Sequence, residues 1–133
     1  MKLTIKDNFL KLTLTTSEVE EIKEGGVKGR VNLYGQLVFD KDDFFFSLEA
    51  GEFCGSEDIR KRLKHNSLVP HVEFTPGKSA RRLNKQGSLP KFDLTVYADA
   101  KKLYEWAVSD KIRMTGYTEN MYRDEFVVQI EKE

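Results

Sequence analysis

The sequence predicts an α+β domain in which a mostly antiparallel sheet carries two or three short helices on one face and a long basic insertion. The first observation is that apolar residues alternate with polar ones in several short stretches, which is the period of a half-buried strand. The second is the stretch 92–108, FDLTVYADAKKLYEWAV, where this period changes to a helical spacing. The third is that all three prolines and many basic residues lie in the middle of the chain.

Two hairpins are predicted in the first part of the chain. In the first, leucine and isoleucine alternate with polar residues on both sides of Asp7 and Asn8, residue types that favour a tight turn. The second joins residues 37–39 to residues 44–48 around the polar run 40–43. Each hairpin therefore supplies two antiparallel strands to the sheet.

A short helix is predicted between these hairpins. Ser17, followed three residues later by Glu20, is a capping-box pattern that places the helix over residues 18–24. Two consecutive glycines follow and favour its end. Val19 and Ile22 have the spacing of an inward face.

The stretch 92–108 is predicted to be the centre of the fold. Phe92, Leu94 and Val96 form one apolar face of a strand. Asp99 is a suitable N-cap for the helix that follows. The inward face of that helix has apolar residues at helical spacing, Leu103, Trp106 and Ala107.

The same rules predict the remaining elements. They are a strand at 27–33 ended by a turn at Tyr34 and Gly35, a helix at 57–64 capped by Ser56, a strand at 69–74 that Pro70 restricts to a sheet edge, an exposed loop at 78–89, a strand at 112–116, a turn at 118–121, and a last strand at 126–130.

Length and cysteine usage predict a single domain over residues 1–133. A chain of 133 residues can bury a sizeable core without disulfides. Its one cysteine, Cys54, cannot form an internal disulfide, which favours a reducing cytoplasmic location. The first residues alternate in polarity and contain no long apolar run, so neither a signal peptide nor a membrane span is predicted.

Charge is distributed unevenly along the chain. Residues 60–91 contain nine lysines and arginines and one acid, Glu73, for a formal charge of +8, and the remainder carries −8. Residues 51–88 are therefore interpreted as a basic, proline-containing insertion in the domain.

Both ends of the chain resemble a small bacterial domain family of unknown function. Members open with Met-Lys-Ile-x-Ile-Lys-x-Asn and continue to Ser-Glu-Val, and here the first eight residues read MKLTIKDN, followed by Ser17, Glu18 and Val19. A second family stretch has Glu-Trp-Ala in a helix and then Ser-Asp-Lys, matched here by residues 105–107 and 109–111. The resemblance covers roughly the first 49 and the last 45 residues. It implies the fold but no activity, and it leaves residues 51–88 as an insertion particular to this chain.

Three short motifs are incomplete for the chemistry they suggest. Gly77-Lys78-Ser79 ends like a phosphate-binding P-loop, but the glycine required five positions before Gly77 is Val72. His71-Val72-Glu73 has the spacing of a zinc deaminase motif, whose two further cysteine ligands a chain with one cysteine cannot supply. Cys54 has no visible base or oxyanion hole. No metal site, cofactor or enzymatic activity is therefore predicted.

The basic residues of the middle segment are the strongest functional signal. If they gather on one surface, they can hold phosphate groups of a nucleic acid or of a phosphorylated small molecule. The predicted anion-binding residues are Arg60, Arg62, Lys64, Lys78, Arg81, Arg82 and Lys85. Aromatic residues are scarce between them, which favours phosphate contacts over base stacking. A solvated loop that merely balances the acidic body is an equally open interpretation.

A second predicted function is protein interaction or homodimerisation. Phe44, Phe45 and Phe46 follow one another without polar alternation, so the strand is either covered on both faces or exposes Phe45 as a contact. An exposed sheet edge would then complete the interface. A small hydrolase or transferase is the third alternative. It ranks last because the sequence shows no set of general acid, base and nucleophile.

Overall fold

The computed structural model describes residues 1–39, 42–52, 55–74, 92–119 and 125–133. Within them lie eight strands and three helices. In chain order they are β1 (Lys2–Lys6), β2 (Phe9–Leu14), α1 (Thr16–Gly25), β3 (Val31–Phe39), β4 (Asp42–Ala50), α2 (Glu57–Leu63), β5 (Leu68–Phe74), β6 (Phe92–Ala98), α3 (Ala100–Val108), β7 (Arg113–Glu119) and β8 (Glu125–Lys132).

The described strands form two four-stranded sheets rather than one. The first sheet has the order β1-β2-β8-β7 and the second β3-β4-β6-β5. Each sheet consists of two antiparallel pairs, and the second strands of these pairs lie side by side in parallel, β2 with β8 and β4 with β6. The predicted α+β class and the mostly antiparallel pairing are confirmed. The division into two sheets was not predicted, because alternation along a strand does not specify its neighbours.

One core joins both sheets with α1 and α3. Leucines and valines on alternate positions of β2, β8, β4 and β6 are buried, as the two-residue period requires. Val19 and Ile22 of α1 pack against the same core. From α3 the core receives Leu103, Trp106 and Ala107, which confirms the inward face predicted for this helix.

Helix α2 is the exception to the prediction that the helices share one face. Its two buried side chains, Ile59 and Leu63, form a separate cluster with Val69 and Tyr97. Val69 is the register partner of Tyr97, and the next residues along, Leu68 and Ala98, point into the main core. Since successive strand residues face opposite sides, α2 covers the outer face of the second sheet.

Part of the predicted insertion at 51–88 is built into the fold. Strand β5 pairs with β6 along seven register positions, from Leu68 with Ala98 to Phe74 with Phe92. Leu68 is completely buried in the core. The prediction that Pro70 restricts this strand to an edge is confirmed, since β5 ends the order of the second sheet. Residues 75–91 lie outside the described residues, and with them the Gly77-Lys78-Ser79 motif and the predicted loop at 78–89.

The cap of α1 lies two residues earlier than predicted. Thr15, not Ser17, is the N-cap: it is extended, its Oγ1 accepts a hydrogen bond from Glu18 N at 3.2 Å, and Thr15 N donates to Glu18 Oε1 at 2.9 Å. Both Thr15-x-x-Glu18 and Ser17-x-x-Glu20 fit the capping-box pattern, and the first is used because β2 ends at Leu14. The predicted end is confirmed: Gly26 follows the helix with φ of 71°, which glycine adopts without strain.

The turn predicted at Tyr34 and Gly35 is wrong. Strand β3 runs through both residues, and Gly35 is the register partner of Phe46 on β4. A Cβ atom at Gly35 would overlap the ring of Phe46. The glycine therefore makes room for a buried aromatic ring, a role that sequence alone does not distinguish from a turn.

The Glu18 carboxylate also contacts the Met1 ammonium, at 2.8 Å. Burial raises the pKa of Glu18, but the Met1 ammonium and the hydrogen bonds from Thr15 lower it by more. The pKa of Glu18 is therefore below the ordinary value of 4.5. A carboxyl whose pKa is lower in the folded protein stabilises the fold above pH 4.5, and this contribution is lost as the pH falls through the folded pKa.

We therefore expect Glu18→Gln to reduce thermal stability at neutral pH, with a difference from the original chain that shrinks as the pH falls below 4.5. The introduced amide keeps a hydrogen bond to Thr15 N but carries no charge. Melting temperatures of both proteins from neutral to acidic pH measure this. A difference that stays constant with pH would contradict the assignment.

Candidate functional site

A cleft of about 360 Å³ lies between α2 and the start of α3. The connection from α1 to β3 and the connection from β4 to α2 also line it. Its lining residues are Val27, Lys28, Gly51, Glu52, Arg60, Leu63, Lys64, Ala98, Asp99, Ala100 and Lys101. We call it the basic cleft, because four of these side chains are cations and two are carboxylates. The four cations are all exposed and come from three parts of the fold.

Helix α2 supplies two of these cations. Ser56 caps it by accepting a hydrogen bond from Ile59 N at 3.4 Å. Ile59 and Leu63 are buried, and this orientation follows from their spacing of four residues. At 100° per residue, Arg60 and Lys64 then fall together on one flank of the helix. Both line the basic cleft.

Arg62 falls on the other flank of α2. Its Nη1 atom lies 4.0 Å from Asp58 Oδ2, in the i, i+4 order predicted from the sequence. Both side chains are well exposed, so this ion pair contributes little to stability. The structure therefore groups Arg60 with Lys64 and places Arg62 outside the basic cleft.

The opposite wall of the basic cleft is the start of α3. Asp99 is its N-cap, accepting a hydrogen bond from Lys102 N at 3.0 Å, and Asp99 N donates to Ser67 O at 3.2 Å. The Asp99 carboxylate thus already has a partner in the helix. The first turn of α3 contains no glutamate or aspartate, so the N-cap Asp99 is the acidic residue that the helix itself places at the positive end of its dipole.

Lys28 and Lys101 complete the basic cleft and were not predicted from the sequence. Lys28 lies between α1 and β3, and Lys101 is the second residue of α3. Both lie outside the basic window at 60–91, which was recognised as a local excess of charge. The available signal was the position of Lys101 two residues after a predicted N-cap, in the first turn of the helix, where a cation opposes the helix dipole and is therefore unusual.

The other four predicted anion-binding residues, Lys78, Arg81, Arg82 and Lys85, lie outside the described residues. The segment that contains them joins β5 at Phe74 to β6 at Phe92. The basic cleft includes Ala98, at the other end of the β5–β6 pair. Phe92 and Ala98 are six residues apart along β6, so the two ends of the pair are separated by about 20 Å. Whether the two basic clusters share one surface stays a prediction.

The three consecutive phenylalanines do not form one contact surface. Phe46 is buried in the core opposite Gly35, and Phe45 points to the other face of the second sheet, where it is half-buried. The side chain of Phe44 lies outside the described part of the structure. The predicted contact role therefore concerns Phe45 and a sheet edge, and it stays a prediction.

The histidines are separate from the basic cleft. His65 is exposed after α2, and the ring of His71 lies 6.3 Å from the ring of Tyr97, tilted by 50°. Among the described residues, no group of three or more histidine, aspartate, glutamate or cysteine side chains is placed to hold a metal ion, and Cys54 lies outside them. Within the same residues, no helix has the length and apolar character needed to cross a membrane.

Compared with models of protein families, with curated proteins and with solved structures, the chain matches none of them. The resemblance of its two ends to a domain family of unknown function therefore stays a prediction. The case for a function rests on the geometry of the chain itself.

Proposed function

We propose that the protein is a cytoplasmic, non-enzymatic binding module that holds the phosphate groups of a nucleic acid or of a phosphorylated small molecule. The observation that carries this proposal is that Lys28, Arg60, Lys64 and Lys101 all line the basic cleft. Cations from separate elements that line one concave surface add their fields at one place. A cleft of about 360 Å³ is within the range of small-ligand sites.

The charges of the basic cleft favour phosphate over a carboxylate ligand of single charge. Two carboxylates, Glu52 and Asp99, also line it, so a ligand must carry more than one negative charge to gain from four cations. Arg60 offers the planar group that binds two phosphate oxygens at once, and the lysines act as point charges. Because all four cations are exposed, binding by this surface should weaken steeply with salt.

The test measures fluorescence anisotropy of two probes at low salt, a labelled ATP analogue and a labelled single-stranded oligonucleotide. The variant Arg60→Glu with Lys64→Glu removes two charge-assisted contacts and should weaken binding by about a hundredfold. The matched control is Lys61→Glu with Arg62→Glu, which makes the same charge change on the same helix outside the basic cleft. The control should weaken binding far less.

Two results would contradict the proposal: no binding of either probe by the original chain at low salt, or equal weakening by the two double variants. A third variant, Arg81→Glu with Arg82→Glu, tests the cluster outside the described residues. If both clusters contact the same ligand, its effect and that of the Arg60 and Lys64 variant should not be additive. The probe that binds identifies the class of ligand.

A further inference from the structure

A second cleft, of about 520 Å³, lies between α1 and strand β3. Its lining residues are Glu21, Glu24, Gly25, Arg30, Val31, Asn32 and Leu33. We call it the edge groove. One wall is the last part of a helix, and the other is the first part of a strand. It shares no lining residue with the basic cleft.

The strand wall of the edge groove is the free edge of the second sheet. β3 is the first strand in the order β3-β4-β6-β5, so it pairs with β4 on one side alone. Along such an edge, every second residue directs its backbone N–H and C=O groups away from the sheet. Among the described residues, no backbone hydrogen bond outside the regular elements involves residues 31–37. Among the same described residues, no strand pairs with this edge.

The helix wall carries two carboxylates, and its last residue is a glycine that leaves the groove unfilled. Glu21 and Glu24 are exposed, and neither forms an ion pair with a described residue. Gly25 has no side chain, and a Cβ atom built on it would have no neighbour within 4 Å. One cation, Arg30, stands at the start of the strand wall. Within the described part of the chain, the groove thus has two carboxylates that form no ion pair, and one arginine.

We propose that the edge groove binds an extended peptide segment of a partner protein, which adds as a further strand to β3 and places lysine or arginine side chains against Glu21 and Glu24. Strand addition supplies affinity through backbone hydrogen bonds, and the flanking wall supplies the choice of side chains. The negative wall selects a basic peptide, since opposite charges attract and like charges repel across a groove.

Beyond the groove, β3 has an exposed apolar side chain on each face of the sheet, and a strand added at this edge would lie beside both. Tyr34 is 72% exposed and Leu37 is 42% exposed, high values for large apolar side chains. A peptide paired from Val31 to Leu37 would cover seven residues of the edge, about 23 Å. Its basic residues belong at the end beside α1, and apolar residues belong at the end beside Leu37.

The test begins with selection of a phage-displayed random peptide library on the full chain. Peptides enriched for basic residues at alternate positions are expected. A synthetic selected peptide, labelled with fluorescein, is then titrated by anisotropy. N-methylation at alternate positions in one register should abolish binding, and in the other register should have little effect, because a β-strand directs alternate amides to its partner.

Two variants locate the site. Gly25→Trp should fill the groove and weaken peptide binding by about tenfold or more, without loss of stability, because the position is open and tryptophan is a better helix residue than glycine. Glu21→Gln with Glu24→Gln should weaken binding by a similar factor and reduce its salt dependence. The matched control, Glu57→Gln with Glu105→Gln, removes two exposed helix carboxylates elsewhere. It should change neither the affinity for the peptide nor the salt dependence of binding.

The proposal is overturned if no peptide is enriched, or if the selected peptide binds Gly25→Trp as tightly as the original chain. It is also overturned if sedimentation shows a dimer that Gly25→Trp dissociates, because a second copy then occupies the edge. Failure of phosphate binding at the basic cleft leaves the proposal intact, since the two sites share no residues.

Discussion

Replacing Trp106 by alanine is expected to lower the free energy of unfolding by roughly 3–5 kcal/mol. The indole is 4% exposed and packs in the core shared by both sheets. Its Nε1 atom donates a hydrogen bond to Ile112 O at 3.3 Å, and Lys132 Nζ lies 5.1 Å from the ring centroid. The ring thus connects α3 to the residue before β7 and to the end of β8. Because small domains are stable by about 5–15 kcal/mol, this loss is a large fraction of the total.

Val108→Ala on the same helix is the control for this prediction. Val108 is 52% exposed and follows the buried residue Ala107, so its truncation should change stability by less than about 0.5 kcal/mol. Chemical denaturation of the three proteins gives the comparison. A midpoint for Trp106→Ala equal to that of the original chain would contradict the burial of the indole.

Phe46→Ala is expected to lower the free energy of unfolding by a similar amount, roughly 3–5 kcal/mol. The Phe46 side chain is 3% exposed, and its ring occupies the space that Gly35 leaves open on the neighbouring strand. Truncation leaves a cavity that the glycine cannot fill, so little relaxation is possible. The effect should appear in the unfolding midpoint measured by denaturant.

The neighbouring Phe45→Ala variant separates core packing from surface contact. Phe45 is half-buried and faces the other side of the sheet, so its loss should cost clearly less stability than the loss of Phe46. If Phe46→Ala keeps the original midpoint but changes the sedimentation of the protein, the phenylalanine is an interface residue and its placement in the core is wrong.

Local sequence patterns predicted most elements because each element is encoded by residues close together in the chain. The hairpin around Asp7 and Asn8, the strand and helix at 92–108, and the edge position of β5 were all readable from alternation, caps and proline. The errors arose where one pattern had two interpretations. Gly35 fits a turn or a space for a ring, and Thr15 and Ser17 both fit a cap.

The candidate sites were less predictable than the elements. Arg60 and Lys64 were predicted because they belong to a local run of basic residues. The same run includes Arg62, which the turn of the helix places on the other flank beside Asp58. Lys28 and Lys101 were missed because they reach the basic cleft from other parts of the chain.

The sequence by itself determined the α+β class, the first two hairpins and the inward faces of α1, β6 and α3, because hydrophobic period and capping act over a few residues. The tertiary structure alone decided that the described strands divide into two sheets, that β3 is an end strand of its sheet beside α1, and that four cations from three parts of the chain line one cleft. These features depend on which elements lie side by side. That arrangement is set by the packing of whole faces against one another, and a linear pattern of residues does not contain it.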